Sequence, residues 1–401
     1  MTIAFIDHIS VSGGIIRYGT QLALALAKLD QEVRITYFTH EKNYLSNKSL
    51  FDECKPFIQV EILKYTKKGL MSNKYADILI NKVLRSGWSE KLSNEIIEKT
   101  NYFDLVYFTT AHVSDYIDVR PPVFATFHDL NWKYLFGNPL FAQKDVAHFE
   151  TQVRDWLTKA QIIVSTPFIK NEINKFYPEI KKPVDIVFLP SLSKKIEAQS
   201  DPAVLKQLNL LKPYILYPAH LMPHKNHNNL VNAFWRLNNE SHHKNRYILA
   251  FSGWGSNHFE YGLATRVGVE KTSETNFNVR GIGYLSNKEI DSVIKSASLI
   301  ISTSLYEAGS GPGLDAWINE VPFVMSNIES HMDQLSFFGI KCHTFDPMDP
   351  KEIYNTLVYA LDNLEELKRD SAEASEKLTG YSWRSAAEKY YSIFNSKLHE
   401  H

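Results

Sequence analysis

The chain has 401 residues, 44% of them hydrophobic and 22% charged, with 44 Lys and Arg against 45 Asp and Glu. That length exceeds one hydrophobic core and predicts two or three domains with a cleft between them. The near-cancelled charge removes a global field for nucleic acid, so no nucleic-acid partner is expected and any anion must be held by a local arrangement. Cys54 and Cys342 stand too far apart in sequence for a metal or redox spacing, which fits a reducing, cytoplasmic setting. The opening MTIAFIDHIS lacks a basic leader and reads as a first strand. Nowhere do about eighteen apolar residues run together, so no membrane-spanning helix is expected.

In chain order, short apolar runs alternate with amphipathic stretches. A strand over 2–6 is followed by a helix over 19–28 and a strand over 33–38. Strands follow at 105–110, 123–127, 162–166 and 184–189, with helices over 147–160 and 170–177. Unbroken apolar runs of this kind belong to parallel strands buried on both faces. A Ser- and Lys-rich stretch over 190–201, with proline at or near both ends, marks a junction. The alternation restarts at 214–217 and continues with strands at 247–251, 277–279, 299–303, 323–325 and 343–345. The expected fold class is α/β, with two Rossmann-like doubly wound domains over 1–195 and 196–380 facing across a deep cleft. The residues 381–401, with an amphipathic segment at 383–398, form a closing helix expected to pack back on the first domain.

Four loops stand directly after predicted strands, where open α/β sheets place their ligands. The first, SVSGGIIRY, sets Gly13 and Gly14 between strand and helix, so that backbone N–H groups can face an anion. A glycine pair alone is equally an ordinary tight turn. The second, ATFHDLNW, carries His128 and Asp129; a neutral imidazole offers one donor and one acceptor to a sugar hydroxyl. These two and Arg17 are assigned to the acceptor side.

The third loop, YPAHLMPHKNHN, gathers His220, His224, Lys225 and His227 before a helix. Three histidines invite a metal reading, yet no carboxylate or cysteine completes a recognised ligand spacing, so no metal is expected. Lys225 suits a diphosphate leaving group. The fourth loop, LYEAGSGPGLDAW, is the most specific. Gly309, Gly311 and Gly313 are expected to expose N–H groups, and Glu307 and Asp315 bracket the turn, one for sugar hydroxyls and one for a ribose. An N-terminal helix turn would explain Asp315 but leaves Glu307 and the glycines without a purpose.

These residues resemble the GT-B retaining glycosyltransferases of glycosyltransferase family 4, in which a Glu is followed after seven residues by a second Glu; here the second acid is Asp315. The resemblance implies that Glu307 and the amides of Ala308, Gly309, Ser310 and Gly311 hold the donor sugar, with Asp315 on the ribose. PHKNH resembles the family's phosphate loop, with Lys225 in place and His220 where an Arg is common, so the source of a second positive charge stays open. FHD resembles the acceptor-side histidine and gives His128; SGG gives Gly13 and Gly14. The segments FSGWG, with Gly253, and VRGIGYLSNKEI, with Tyr284 and Leu285, resemble the donor-base region. By that resemblance His128, Lys225 and Glu307 are the catalytic group, no cofactor or metal is needed, and the donor is a nucleotide-sugar. GDP-mannose is a guess for the donor, and a saccharide or lipid-linked acceptor of bacterial surface polysaccharide or lipopolysaccharide synthesis is implied.

Between 64 and 88, basic residues interleave with Tyr, Leu, Ile and Trp. A peripheral contact at the inner membrane face would use such a patch, but a helix with solvated lysines is the preferred reading because Asp77 and polar residues dilute it. Three rivals remain. A nucleotide-sugar epimerase would act without an acceptor. A non-catalytic subunit would bind nucleotide without transfer, against which Lys225 and Glu307 argue. An NAD-dependent dehydrogenase lacks its G-x-G-x-x-G here.

Overall fold

A computed structural model describes residues 1–9, 14–65, 90–111, 114–134, 143–192, 195–197, 200–257 and 278–398. Two parallel sheets organise them. The first takes β1 (Thr2–Asp7), β2 (Arg34–Thr39), β3 (Gln59–Ile62), β4 (Leu105–Phe108), β5 (Val123–Thr126), β6 (Gln161–Val164) and β7 (Val184–Ile186) in the order β3-β2-β1-β4-β5-β6-β7. The second takes β8 (Tyr214–Pro218), β9 (Ile248–Ser252), β10 (Val279–Gly283), β11 (Leu299–Ser302), β12 (Phe323–Ser326) and β13 (His343–Phe345) in the order β10-β9-β8-β11-β12-β13.

Successive strand side chains point to opposite faces, and both faces of each sheet are covered. Ile3 and Phe5 of β1 pack with Leu22 and Leu26 of the helix Gly14–Leu29, whereas Ala4 and Ile6 pack on the other side with Val153 and Trp156. In the second sheet Ile215 and Tyr217 face the helices His227–Glu240 and Pro350–Asp362, while Tyr214 and Leu216 face Leu314 and Trp317 of the helix Gly311–Ile318. Each strand order reverses its direction of growth once, between β1 and β4 and between β8 and β11. Loops leaving neighbouring strands there diverge to opposite faces and open a crevice for ligands at the carboxyl ends.

Two local features depart from the sequence reading. The first helix begins at Gly14, five residues before the predicted 19, because the apolar face already includes Ile16 and Tyr18. The strand β3 has no counterpart in the prediction: QVEI sits at the edge of its sheet, half exposed, and carries no unbroken apolar run.

The last helix, Trp383–Leu398, lies on Gly14–Leu29. Ala386, Ala387, Tyr390 and Phe394 join the core of the first sheet. The Tyr390 hydroxyl lies 2.9 Å from both the Tyr18 hydroxyl and Thr126 Oγ1, so its buried polar end is satisfied. Among the described residues no helix is long and apolar enough to cross a membrane. The 64–88 segment lies outside them except for Lys64 and Tyr65.

Candidate active site at the meeting of two sheet rims

The loop after β8 turns through a short 3-10 helix, Pro223–Lys225, and Asn226 follows in the left-handed conformation at φ 58°. Asn tolerates that region better than most residues, and its side-chain amide donates to the Pro347 carbonyl at 2.7 Å. The Lys225 carbonyl accepts from the Tyr217 hydroxyl at 2.9 Å and from Thr303 Oγ1 at 3.2 Å, and the Leu305 N–H donates to the His224 carbonyl at 2.7 Å. These bonds stitch the loops after β8 and β11, the two strands that flank the reversal, into one rim.

On that rim the Lys225 ammonium forms an ion pair with Glu307 Oε1, which also accepts from Ser304 Oγ at 2.5 Å. Burial pushes the Glu307 carboxyl upward, but the Lys225 charge and the two donors overcome this and hold it down at about 2. The side chains of Lys225 and Glu307 are 11% and 17% exposed, so the pair is shielded from water yet open to a ligand. A screened pair at the surface is worth little; this one is partly desolvated and removing either partner strands the other.

The three histidines of the same loop do not add charge. Burial first, then the neighbouring Lys225, lowers His220 to about 4 and both His224 and His227 to about 3. In the ligand-free protein all three are held neutral near pH 7 and add no formal charge beside Lys225. His227 fills an apolar position between the rings of Tyr217 and Phe251.

The fourth loop departs from its sequence reading in the amides it offers. Ser310 caps the helix Gly311–Ile318: its Oγ accepts the Gly313 N–H at 3.0 Å. The Ser310 N–H is itself taken by Gln334 Oε1 at 2.7 Å. The expected row of exposed N–H groups therefore loses Ser310 and Gly313. Gly313 is needed for packing instead, since a Cβ there would stand 2.9 Å from the Phe323 ring. Gly253, at the end of β9, has φ +116° and would bring a Cβ within 2.9 Å of the His220 amide, so it lets that loop lie close to the sheet.

The rim of the first domain meets this one. His128 Nε2 lies 2.9 Å from the Thr109 carbonyl, which can only accept, so Nε2 carries a hydrogen and donates. Asp129 Oδ1 accepts the Asn131 N–H at 3.1 Å. Burial raises the Asp129 carboxyl above its ordinary value, opposed by the Asn131 amide and by His128; Glu307 and Lys225 also act on it across the cleft. Direct contact comes from Tyr306, whose hydroxyl accepts the Leu130 N–H at 3.0 Å and whose ring packs 5.4 Å from Phe168. Ser165 Oγ donates to the Ala308 carbonyl at 3.3 Å, and Asp333 Oδ2 accepts the Phe168 N–H at 2.7 Å.

The structure thus brings His128, Asp129, Lys225, Glu307, Ala308 and His220 to one place. Gly14 opens the first helix, with Leu192 Cδ1 3.3 Å from where its Cβ would be; Gly13 lies outside the described residues. The Arg17 guanidinium donates to the Leu192 carbonyl at 3.1 Å and acts on Asp291 of the second domain, so it lies at the domain junction. Asp315 accepts from Ser191 Oγ of the same junction at 3.4 Å. Tyr284 is exposed just past β10, whereas Leu285 packs partly into the second core. Sequence reasoning missed Tyr306, Asp333 and Gln334, although the first stands inside the most specific motif; no periodicity distinguishes a residue that inserts into another domain.

Comparison with known proteins bears on the fold and on the second domain. Residues 205–377 match the family described as glycosyl transferases group 1. The O-antigen chain mannosyltransferase B of Escherichia coli is 24% identical over 266 residues, 64% of this chain and 66% of that protein, just under two thirds of its length. HepE from Anabaena, solved with UDP and glucose, superposes with a TM-score of 0.67 at 14% identity over 99% of this chain and all of the other. WaaG, a glycosyltransferase involved in lipopolysaccharide biosynthesis, gives 0.68 at 14% identity over 98% and 99%. The chain therefore has the two-domain GT-B fold, and its residues 205–377 are similar to the glycosyl transferases group 1 family.

Proposed function

We propose that this protein is a retaining, metal-independent hexosyltransferase that moves a hexose, mannose as first candidate, from a nucleotide-sugar to a saccharide or lipid-linked acceptor of bacterial surface polysaccharide. The setting is the cytoplasm, at the inner face of the membrane where a lipid-linked acceptor is presented. The observation that carries the reading is the Lys225–Glu307 pair at the reversal of the second sheet, facing His128 and Asp129 across the cleft. The names of the E. coli relative and of WaaG support the polysaccharide setting, and that of HepE the nucleoside-diphosphate donor.

The donor diphosphate would lie against Lys225, whose ammonium opposes the charge that develops as the bond from the anomeric carbon to phosphate oxygen breaks. Glu307 would take the sugar hydroxyls and Asp315 the ribose. His128, fixed by the Thr109 carbonyl, would read a hydroxyl on the first-domain side. The acceptor oxygen attacks the anomeric carbon from the face the phosphate leaves, and its proton passes to the departing phosphate oxygen, so the configuration is retained. The protein then supplies orientation and charge rather than a covalent partner. Lys225 is the positive charge assigned to the diphosphate, and the sequence has no Asp-x-Asp to hold a divalent ion there.

The test is a thermal-shift screen across GDP-, UDP- and ADP-sugars, in which the correct donor raises the melting temperature by mass action. Incubation of that donor with and without polysaccharide acceptor follows. Nucleoside diphosphate release that needs the acceptor, with the new anomeric linkage in the donor's configuration, supports transfer; conversion of the sugar without acceptor would instead show an epimerase.

A further inference from the structure

At the edge of the second domain opposite the cleft, three side chains converge that have no part in transfer. The helix His227–Glu240 gives way at Ser241 to a turn that sets His242 beside His243, before β9 begins at Ile248. The helix Pro350–Asp362 packs along it and ends in Asp362. His242 Nε2 lies 2.6 Å and His243 Nε2 2.9 Å from the same oxygen, Asp362 Oδ1. The three atoms lie within 4.8 Å of one another, and among the described residues this is the one trio of His, Cys, Asp or Glu that converges so. The trio precedes a strand, whereas the cleft loops leave the carboxyl ends of their strands.

The donor set suits a cation: two imidazole nitrogens converge on one carboxylate oxygen of Asp362. A metal needs a neutral imidazole and an ionised carboxylate. His243 is 4% exposed and rigidly placed, while His242 is 60% exposed and leaves a solvent-facing approach.

We infer that His242, His243 and Asp362 bind a divalent transition-metal ion, with Zn²⁺ the first choice, as a staple between the turn over 241–246 and the end of the helix Pro350–Asp362. Two nitrogens and one oxygen suit zinc, nickel or copper, and disfavour magnesium or calcium, which take oxygen. Zinc sits about 2.0–2.2 Å from such ligands, which places tetrahedral ligand atoms about 3.3 Å apart. The two contacts to Oδ1 must therefore open by about half an ångström, movements that the exposed His242 and Asp362 side chains can make. Water would complete the fourth position. The inference stands apart from the proposed transfer activity.

The test uses the full chain without an affinity tag, titrated with ZnCl₂ by calorimetry and melted with and without about 100 µM Zn²⁺. One ion per chain and a melting temperature raised by about 3 °C or more are expected. His242→Ala and Asp362→Asn should each weaken binding at least about tenfold and remove the shift, while leaving sugar-nucleotide turnover unchanged. His242 is largely exposed, so its loss leaves the fold intact and keeps the result interpretable. Absence of binding at about 100 µM, or binding that survives in both variants because the ion sits on the cleft histidines instead, overturns the site.

Discussion

The two rims of the cleft are built from the same strand-to-loop grammar but do opposite electrostatic work. On the second domain, formal charge is fixed in place: Lys225 and Glu307 are paired, Glu307 is held ionised, and the histidines around them are driven neutral. On the first domain the described groups are orienting ones: His128 is set by a backbone carbonyl and Asp129 is pushed toward its neutral form by burial. Under the proposed function, one domain would manage the charge of a leaving group while the other would read hydroxyls. Pairing a cation with a carboxylate before any ligand arrives also keeps a half-buried ammonium from standing alone.

The largest effect that could break this division is expected from Lys225→Ala, which should cut turnover about a hundredfold or more, as loss of a preorganised charge does. Steady-state kinetics check it, and unchanged turnover would remove the charge-managing role. Next, Glu307→Ala should weaken sugar-nucleotide binding about tenfold or more, roughly the loss of a hydrogen bond to a charged group. It should leave nucleoside diphosphate affinity intact or improved, because Lys225 is released from its partner. Calorimetry with both ligands decides, and equal loss of both contradicts the assignment.

On the other rim, His128→Ala should raise the acceptor KM by about tenfold with the donor Kd unchanged, again the scale of one hydrogen bond. Loss of donor binding in that variant would erase the contrast between the rims. Smaller still, Tyr306→Phe leaves the buried Leu130 N–H without its acceptor and should lower the melting temperature by a few degrees. If Tyr306 joins donor loop to first domain as the geometry indicates, the donor Kd should shift in the same variant.

Acid sharpens the comparison through many modest contributions. His8, His220, His224 and His227 all have folded values well below the ordinary 6.5, at about 4, 4, 3 and 3. The unfolded chain therefore takes up protons that the fold refuses, and stability falls as pH drops from about 6.5 toward 4. Glu307, depressed from 4.5 to about 2, adds a further loss between those values. Asp7, raised from 3.8 to about 6 chiefly by burial, acts in the opposite sense and stabilises on acidification between them. Histidines lowered by burial, His40, His243, His331 and His343 among them, outnumber the raised carboxyls Asp7, Asp129, Asp291 and Asp333. Melting temperatures measured from pH 7 to 4.5 should therefore decline steadily, and a rise over that interval would contradict the burial assigned to these rings.

Much of the architecture was legible because parallel strands buried on both faces must be apolar throughout, as in LVYF of β4 and LIIS of β11. The edge strand β3 escaped for the same reason in reverse. Within the site, PHKNH and EAGSGPGLD pointed to their loops because glycine, proline and a capping serine leave local marks in a sequence. Tyr306, Asp333 and Gln334 leave none, since each acts on a backbone group of another loop or of the other domain.

By itself the sequence determined two alternating α/β units, the positions of their ligand-facing loops and the residue types in them, all consequences of local periodicity and turn chemistry. The tertiary structure alone decided that Lys225 meets Glu307, that Ser310 and Gly313 spend their amides internally, that Arg17 ties the junction and that the loop histidines are uncharged. Protonation and hydrogen-bond availability depend on burial and on charges brought near from distant parts of the chain, and no window of neighbouring residues contains that information.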